Sequence, residues 1–245
     1  MRVSIVIPAH NEEKRISKTL LAYYQFFNSI RESEGIDFEI LVVLNGCTDN
    51  TLEAIQGLYD RCEEVLILDI TEAGKGLAVR EGFIDALTRQ NHLIGFVDAD
   101  MATEPQFFYD LIMDIEDNDG IIASRYMPQS VVMPPRPAIK RWGSKLFYEP
   151  LVRLLFGLNY YDLQCGAKLF KRSALIKIVP YLTVNQWAFD VELLYWCKRF
   201  GLSIKEVPTT WYDQIHSKLN WWTGGLGMLK TLISLRWALW NTSKK

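Results

Sequence analysis

Asp98 and Asp100 stand one residue apart at the end of a short apolar run, Leu93-Ile94-Gly95-Phe96-Val97. An extended chain alternates its side chains, so both carboxylates can point to one side. Two like charges that close repel unless something positive lies between them. A hard divalent cation meets that need, and carboxylate and phosphate oxygens are its preferred ligands. The pair points to Mg²⁺ or Mn²⁺ held against a phosphorylated ligand at the carboxyl end of a strand. The alternative is an Asx turn in which one acid caps the next helix. This window alone leaves both open.

Other candidate groups fall at similar junctions. Pro8 offers no ladder donor and should end the strand Val3–Ile7. Asn11 can cap the helix that follows, whose free N–H groups favour an anion. Glu12 and Glu13 suit that helix's first turn. Asn45-Gly46 admits positive φ, and Asp49 can cap the next helix. Gly74-Lys75-Gly76 lacks the spacing of a phosphate-binding P-loop, yet puts a cation at a helix start. Arg125 leaves a strand as the chain turns proline-rich, and its planar guanidinium suits bidentate phosphate binding. Arg136, Lys140 and Arg141 follow, either to hold an anion or as a solvated basic surface. Asp190 and Glu192 open an apolar helix, where dipole compensation alone would account for them. Cys165 has no histidine near it in sequence and reads as a packed residue. His10, His92 and His216 form no triad with a serine, which disfavours a hydrolase.

The elements that must position these groups alternate. Strands are expected at Val3–Ile7, Phe38–Leu44, Val65–Leu68, His92–Val97 and Gly120–Ser124. Helices are expected at Glu12–Ile30, Asp49–Tyr59, Gly76–Leu87 and Gln106–Ile115. Alternation of this kind builds an α/β fold with a mostly parallel sheet between helices. Its ligands bind beyond the carboxyl ends of the strands. After Tyr126 the pattern changes to a mobile proline-rich loop over Met127–Pro137 and a helix from about Ala138 to Phe156. A turn and strand at Tyr161–Phe170, a helix at Ala188–Arg199, an extended segment at Ile204–Tyr212 and a last helix at Leu219–Trp240 follow. At 245 residues without linker composition the chain reads as one domain. Its parts are a nucleotide-binding half (1–126), an acceptor-binding half (127–213) and an amphipathic C-terminal helix (214–245). A net charge of −2 gives no sign of nucleic-acid binding. Four cysteines without metal-ligand spacing suit a reducing compartment. The chain opens on a strand-like run, so no signal peptide is expected. No apolar stretch approaches the ~20 residues that span a bilayer.

Taken together, several segments resemble family 2 glycosyltransferases of the GT-A fold, close to the dolichyl-phosphate β-glucosyltransferase and polyprenyl-phosphate type. They are Val6-Ile7-Pro8-Ala9-His10-Asn11-Glu12-Glu13, Asn45-Gly46-Cys47-Thr48-Asp49-Asn50-Thr51, Gly74-Lys75-Gly76 and Val97-Asp98-Ala99-Asp100-Met101-Ala102-Thr103. Later come Gln164-Cys165-Gly166-Ala167-Lys168-Leu169-Phe170, Trp187-Ala188-Phe189-Asp190-Val191-Glu192-Leu193-Leu194 and Ser217-Lys218-Leu219. The resemblance covers nearly the whole chain. It implies metal-dependent transfer of a hexose, first of all from UDP-glucose, to dolichyl or polyprenyl phosphate with inversion. It implies Mg²⁺ or Mn²⁺ on Asp98 and Asp100. Donor contacts would come from Pro8, Ala9, Asn11, Glu12, Asn45, Gly46, Asp49, Lys75, Gly76 and Ala99. Acceptor contacts would come from Arg125, Gln164, Lys168, Asp190 and Lys218, with Arg125 also taking part in catalysis and Asp162 near the acceptor as a possible base. Relatives often carry an acid in place of Asn45, so the base is less firmly implied than the sugar nucleotide. A saccharide hydroxyl as acceptor is one alternative, for which Asp162 or Asp190 would have to serve as the base, and a non-catalytic nucleotide-sugar-binding module is another.

A lipid acceptor bears on the amphipathic segments. Lys145, Glu149 and Arg153 form one charged stripe on an otherwise apolar helix. Trp222, Leu226, Leu229, Ile233, Trp237 and Trp240 share a face near the end, and no acid follows Asp213. Tryptophan with lysine or arginine on such a helix suits a membrane interface, here peripherally on the cytoplasmic face. Packing on the sheet or on a second subunit is the other reading.

Overall fold

A computed structural model describes residues 1–58, 61–134, 149–186, 188–212, 231–237 and 239. The elements in chain order are β1 (Arg2–Ala9), α1 (Ile16–Glu34), β2 (Asp37–Asn45), α2 (Thr51–Gln56), β3 (Val65–Ile70), α3 (Lys75–Leu87), β4 (Leu93–Val97) and α4 (Pro105–Asp114). The second half adds β5 (Gly120–Ser124), β6 (Val131–Met133), α5 (Glu149–Phe156), β7 (Ala167–Lys171), α6 (Arg172–Ile178), α7 (Phe189–Arg199), β8 (Ile204–Pro208) and β9 (Thr210–Tyr212). Residues 231–237 form a further helix, α8.

Seven strands make one sheet in the order β3-β2-β1-β4-β7-β5-β8. All pairs are parallel except those of β7, which runs antiparallel to both β4 and β5. The order reverses between β1 and β4, the place where such sheets open a crevice. The first half thus forms the alternating α/β unit its apolar periods call for. Alternate strand residues face opposite layers. Ile5, Ile7 and Val97 pack with Leu20, Tyr23, Phe27 and Phe108 of α1 and α4. Val6, Ile94 and Phe96 pack with Val79, Phe83, Leu175 and Leu193 of α3, α6 and α7.

The insertion of β7 matters most for the site. Antiparallel pairing sets Val97 opposite Ala167, so the chain entering β7 lies beside the chain leaving β4. Residues 162–166 are thereby brought to the end of the sheet that carries Asp98 and Asp100.

Some expectations need correction. β1 runs through Pro8 to Ala9 instead of stopping, because its pairing with β4 ends at Val6 and only β2 accompanies the last residues. Part of the segment read as a loop, Val131–Met133, pairs in parallel with β9. α6 has no counterpart among the expected elements, since seven residues are too few for a clear helical period. Among the described residues no helix is long and apolar enough to cross a membrane.

Candidate active site

Asp98 follows Phe96 by two residues and so points to the layer of α3 and α7. Lys75, the first residue of α3, meets it there, with Nζ 2.5 Å from Asp98 Oδ1. The same ammonium lies 5.7 Å from the centre of the Phe96 ring. Burial disfavours the Lys75 charge, but the fields of Asp98 and Asp190 outweigh it and hold its pKa above the ordinary value. The Asp98 N–H donates to the Gly166 carbonyl at 3.1 Å. Gly166 also makes room for the carboxylate. A Cβ there would stand 1.9 Å from Asp98 Oδ2.

Asp100 Oδ1 accepts the Ala102 N–H at 3.0 Å. The Asx turn is therefore real, but it caps nothing: α4 starts at Pro105 with Glu104 before it and no side-chain cap. The turn orients the carboxylate. α1 braces it from behind, with Thr19 Oγ1 donating to the Ala99 carbonyl at 2.7 Å and Tyr23 OH to Thr103 at 2.9 Å. Burial, and then the charge of Asp98, push the Asp100 carboxyl up to about 6. The donor set suits a hard divalent ion: two carboxylates whose mutual repulsion a cation would relieve. Among the described residues no third His, Cys, Asp or Glu joins them. The remaining coordination positions would fall to phosphate and water oxygens.

Two buried ion pairs flank the acids. Lys168 is fully buried, with Nζ 2.6 Å from Asp190 Oδ1 and 2.7 Å from the Cys165 carbonyl. It lies 5.4 Å from the Phe96 ring centre, so one ring serves both lysines. Arg125 grips Asp162 by a fork, Nε to Oδ2 at 2.6 Å and Nη2 to Oδ1 at 2.9 Å. Its guanidinium lies 5.0 Å from the Trp211 ring centre. Burial would raise the Asp162 carboxyl, but Arg125 wins and holds it below the usual range. Glu206 orients the same turn by accepting the N–H groups of Tyr161 and Asp162.

The other predicted residues occupy the neighbouring rim. Asn45 is buried and bridges two loops, donating to the Ala9 carbonyl at 2.8 Å and accepting the Gly74 N–H at 3.1 Å. Gly46 needs its φ of +59°, and a Cβ there would meet Ala73 at 3.0 Å. Asn11 does not cap α1, which begins four residues beyond Glu12, after Arg15. It takes φ 55° instead and accepts the Thr48 N–H at 2.7 Å. Glu12 holds Arg15. Asp49 accepts N–H groups from Glu13 and from Thr51 at the start of α2. The Gln164 N–H binds Asp162 Oδ1. Lys218, with Trp187, His216 and Ser217, lies outside the described residues.

Sequence reading passed over the groups that act through others. Gly166 falls within one of the resembling segments, but nothing in its spacing says what lies above it. Thr19 had a faint signal, being a hydroxyl on the apolar face of α1 beside Ile16, Leu20 and Tyr23. Glu192 is fully buried and accepts from the Thr183 and Val184 N–H groups, a role its place in the first turn of α7 does not reveal.

The pattern of Glycosyl transferase family 2 matches residues 4–179. The chain belongs to that family. The family 2 glycosyltransferase is 32% identical over 263 residues to the dolichyl-phosphate beta-glucosyltransferase of Saccharomyces cerevisiae, covering 96% of this chain and 74% of that one. It is 29% identical to the enzyme of the same name from Dictyostelium discoideum, covering 96% and 73%. The transferase shares its fold with glucosyl-3-phosphoglycerate synthase from Mycobacterium tuberculosis in complex with Mn²⁺, UDP and phosphoglyceric acid. That comparison has a TM-score of 0.67, 18% identity, and covers 94% of this chain and 75% of that one. The same synthase with Mg²⁺ and UDP gives a TM-score of 0.67 at 18% identity, covering 94% and 76%. The acid pair, Lys75, Arg125, Asp162 and Lys168 of the transferase all fall inside the matched span, whereas Asp190 and Glu192 lie beyond it.

Proposed function

We propose that the transferase moves a hexose from UDP-glucose, or a close UDP-sugar, to the phosphate of a dolichol or polyprenol with inversion. Similarity to the dolichyl-phosphate enzymes supports this acceptor. So does one geometric observation: both candidate bases, Asp162 and Asp190, are closed in buried ion pairs. A sugar hydroxyl would need a base to take its proton. A phosphate is already an anion near neutral pH and can attack unaided.

Asp98 and Asp100 would hold Mg²⁺ or Mn²⁺, whose charge when bound stabilises the departing nucleoside diphosphate. Lys75 turns its ammonium to the diphosphate, and Lys218 is assigned to the acceptor side. Arg125 offers Nη1 to a phosphate, since Asp162 holds its other two nitrogens. The rim from Pro8 to Glu12, with Gly46 and Asp49, borders the nucleoside. An acceptor oxygen bonds to the anomeric carbon as the bond from that carbon to the diphosphate oxygen breaks on the opposite face. The product is a β-linked lipid phosphate sugar.

The acceptor's lipid implies a peripheral site on the cytoplasmic face of a membrane. Leu232 and Leu235 of α8, with Leu239 beyond it, are buried in one cluster with Val152 and Phe156 of α5. α8 leaves Ile233 and Trp237 exposed, with Leu154 of α5 82% exposed. Those three side chains are our candidates for the lipid interface.

The deciding experiment incubates the protein with Mn²⁺, a panel of nucleotide sugars and dolichyl phosphate, and weighs the product. Hexosyl phosphoryl dolichol that disappears with EDTA is expected. Transfer to soluble saccharides with none to lipid phosphate would overturn the acceptor, and product formed equally in EDTA would overturn the metal role.

A further inference from the structure

Lys75 meets Asp98 from a turn that is packed closely against a neighbouring segment. Residues 183–186 cross that turn as a strap between the short 3₁₀ turn Val179–Tyr181 and α7. The fit is tight at both glycines. A Cβ on Gly74 would stand 2.4 Å from the Asn185 carbonyl oxygen. A Cβ on Gly76 would stand 2.4 Å from that of Val184 and 2.6 Å from Phe189 Cβ. Hydrogen bonds join the layers: Leu77 N–H to the Asn185 carbonyl at 3.1 Å, and Gln186 Nε2 to the Ala73 carbonyl at 3.2 Å. Arg80 reaches from α3 to Leu182 O and Asn185 Oδ1.

One carboxylate holds the strap. Glu192 is fully buried on α7. It accepts Thr183 N–H at 2.9 Å, Val184 N–H at 2.8 Å and Thr183 Oγ1–H at 2.7 Å. Charged acceptors make stronger hydrogen bonds than neutral ones, so three donors on one buried anion set the strap's height over the glycines. On the same first turn, Asp190 holds Lys168 below Phe96. α7 therefore braces the acid site from two directions.

We propose that Glu192 is a positioning residue for the donor diphosphate, clamping the strap so that the Gly74-Lys75-Gly76 turn presents its ammonium beside the acid pair. This rests on the reading of Lys75 as a phosphate-facing group. A residue that merely stabilises the fold lowers the melting temperature when lost, without changing the affinity of the molecules that stay folded. A positioning residue weakens donor binding ahead of acceptor binding.

The test uses the full chain and three variants. Glu192→Gln keeps the shape but places an amide against donors. Thr183→Val removes the hydroxyl contact alone. Phe38→Leu truncates a buried ring at the opposite end of β2 and serves as a matched loss of stability. In Glu192→Gln, exchange of the Leu77 amide should accelerate, and the Kd for UDP with Mn²⁺ should rise about tenfold, the scale of one charged hydrogen bond. The KM for dolichyl phosphate should stay within about twofold. Thr183→Val should move the same two donor-side readouts in the same direction by less. It also carries the test if Glu192→Gln does not fold. Phe38→Leu should lower the melting temperature with UDP affinity unmoved. Unchanged Leu77 exchange and UDP affinity in both strap variants would overturn the proposal, as would an equal loss of UDP affinity in Phe38→Leu. Wild-type protein that binds no UDP would sink the functional reading, while Leu77 exchange would still judge the clamp.

Discussion

Asp100→Asn should make the metal-free protein more stable while nearly abolishing transfer. The carboxyl titrates at about 6 against an ordinary 3.8, raised by burial and then by Asp98. That gap of about 2 pH units, at about 1.36 kcal/mol each, amounts to roughly 3 kcal/mol of unfavourable charge. Asp100 keeps part of its surface in solvent, and screening reduces the cost to about 1–2 kcal/mol. The sign follows from the direction. An acid whose folded pKa is raised penalises the fold fully above that value. The penalty shrinks as pH falls from about 6 toward 3.8 and is absent below. Asparagine carries no such charge and can still accept the Ala102 N–H through its carbonyl oxygen. Thermal unfolding in EDTA at pH 7.5 should show a gain of about 2–8 °C, given ~2–4 °C per kcal/mol for a chain of this size. The gain should vanish near pH 4. Excess Mn²⁺ should raise the melting point of the wild type by mass action but not that of the variant. Turnover should fall at least ~100-fold. A variant no more stable than wild type at pH 7.5, or equally stabilised at both pH values, would refute the electrostatic argument.

Three further outcomes are expected. Gly166→Ala should fold yet lose Mn²⁺-dependent UDP binding in calorimetry, because the new methyl occupies the place of the Asp98 carboxylate; retained binding would show that the carboxylate can relocate. Asp162→Asn should cost about 3–5 kcal/mol in urea unfolding, since it leaves the Arg125 guanidinium buried beside a neutral group; a stable variant that lost only activity would restore Asp162 as a base. Replacing Ile233 and Trp237 by serine should reduce co-sedimentation with anionic vesicles, at ~0.8 kcal/mol per buried CH₂; undiminished sedimentation would place the lipid contact elsewhere.

The order of elements through β5, the parallel sheet and the place of the acid pair at a strand exit were legible in the sequence. Apolar periods and turn residues fix those features locally. So was the family, because several short segments recur in one order along the chain. The partners of the charges were not legible. Asp98 faces Lys75 because α3 begins where β4 ends in space, 22 residues apart in sequence. Asp162 engages Arg125 across 37 residues, and Lys168 engages Asp190 across 22. Asn11 offers the plainest lesson: a capping residue by type, it serves another loop because α1 starts later than its period announces. Local chemistry chose which residues could bind, cap or carry charge. The antiparallel entry of β7 and the strap over α3 chose which of them meet, because contact between distant segments is set by packing and not by spacing along the chain.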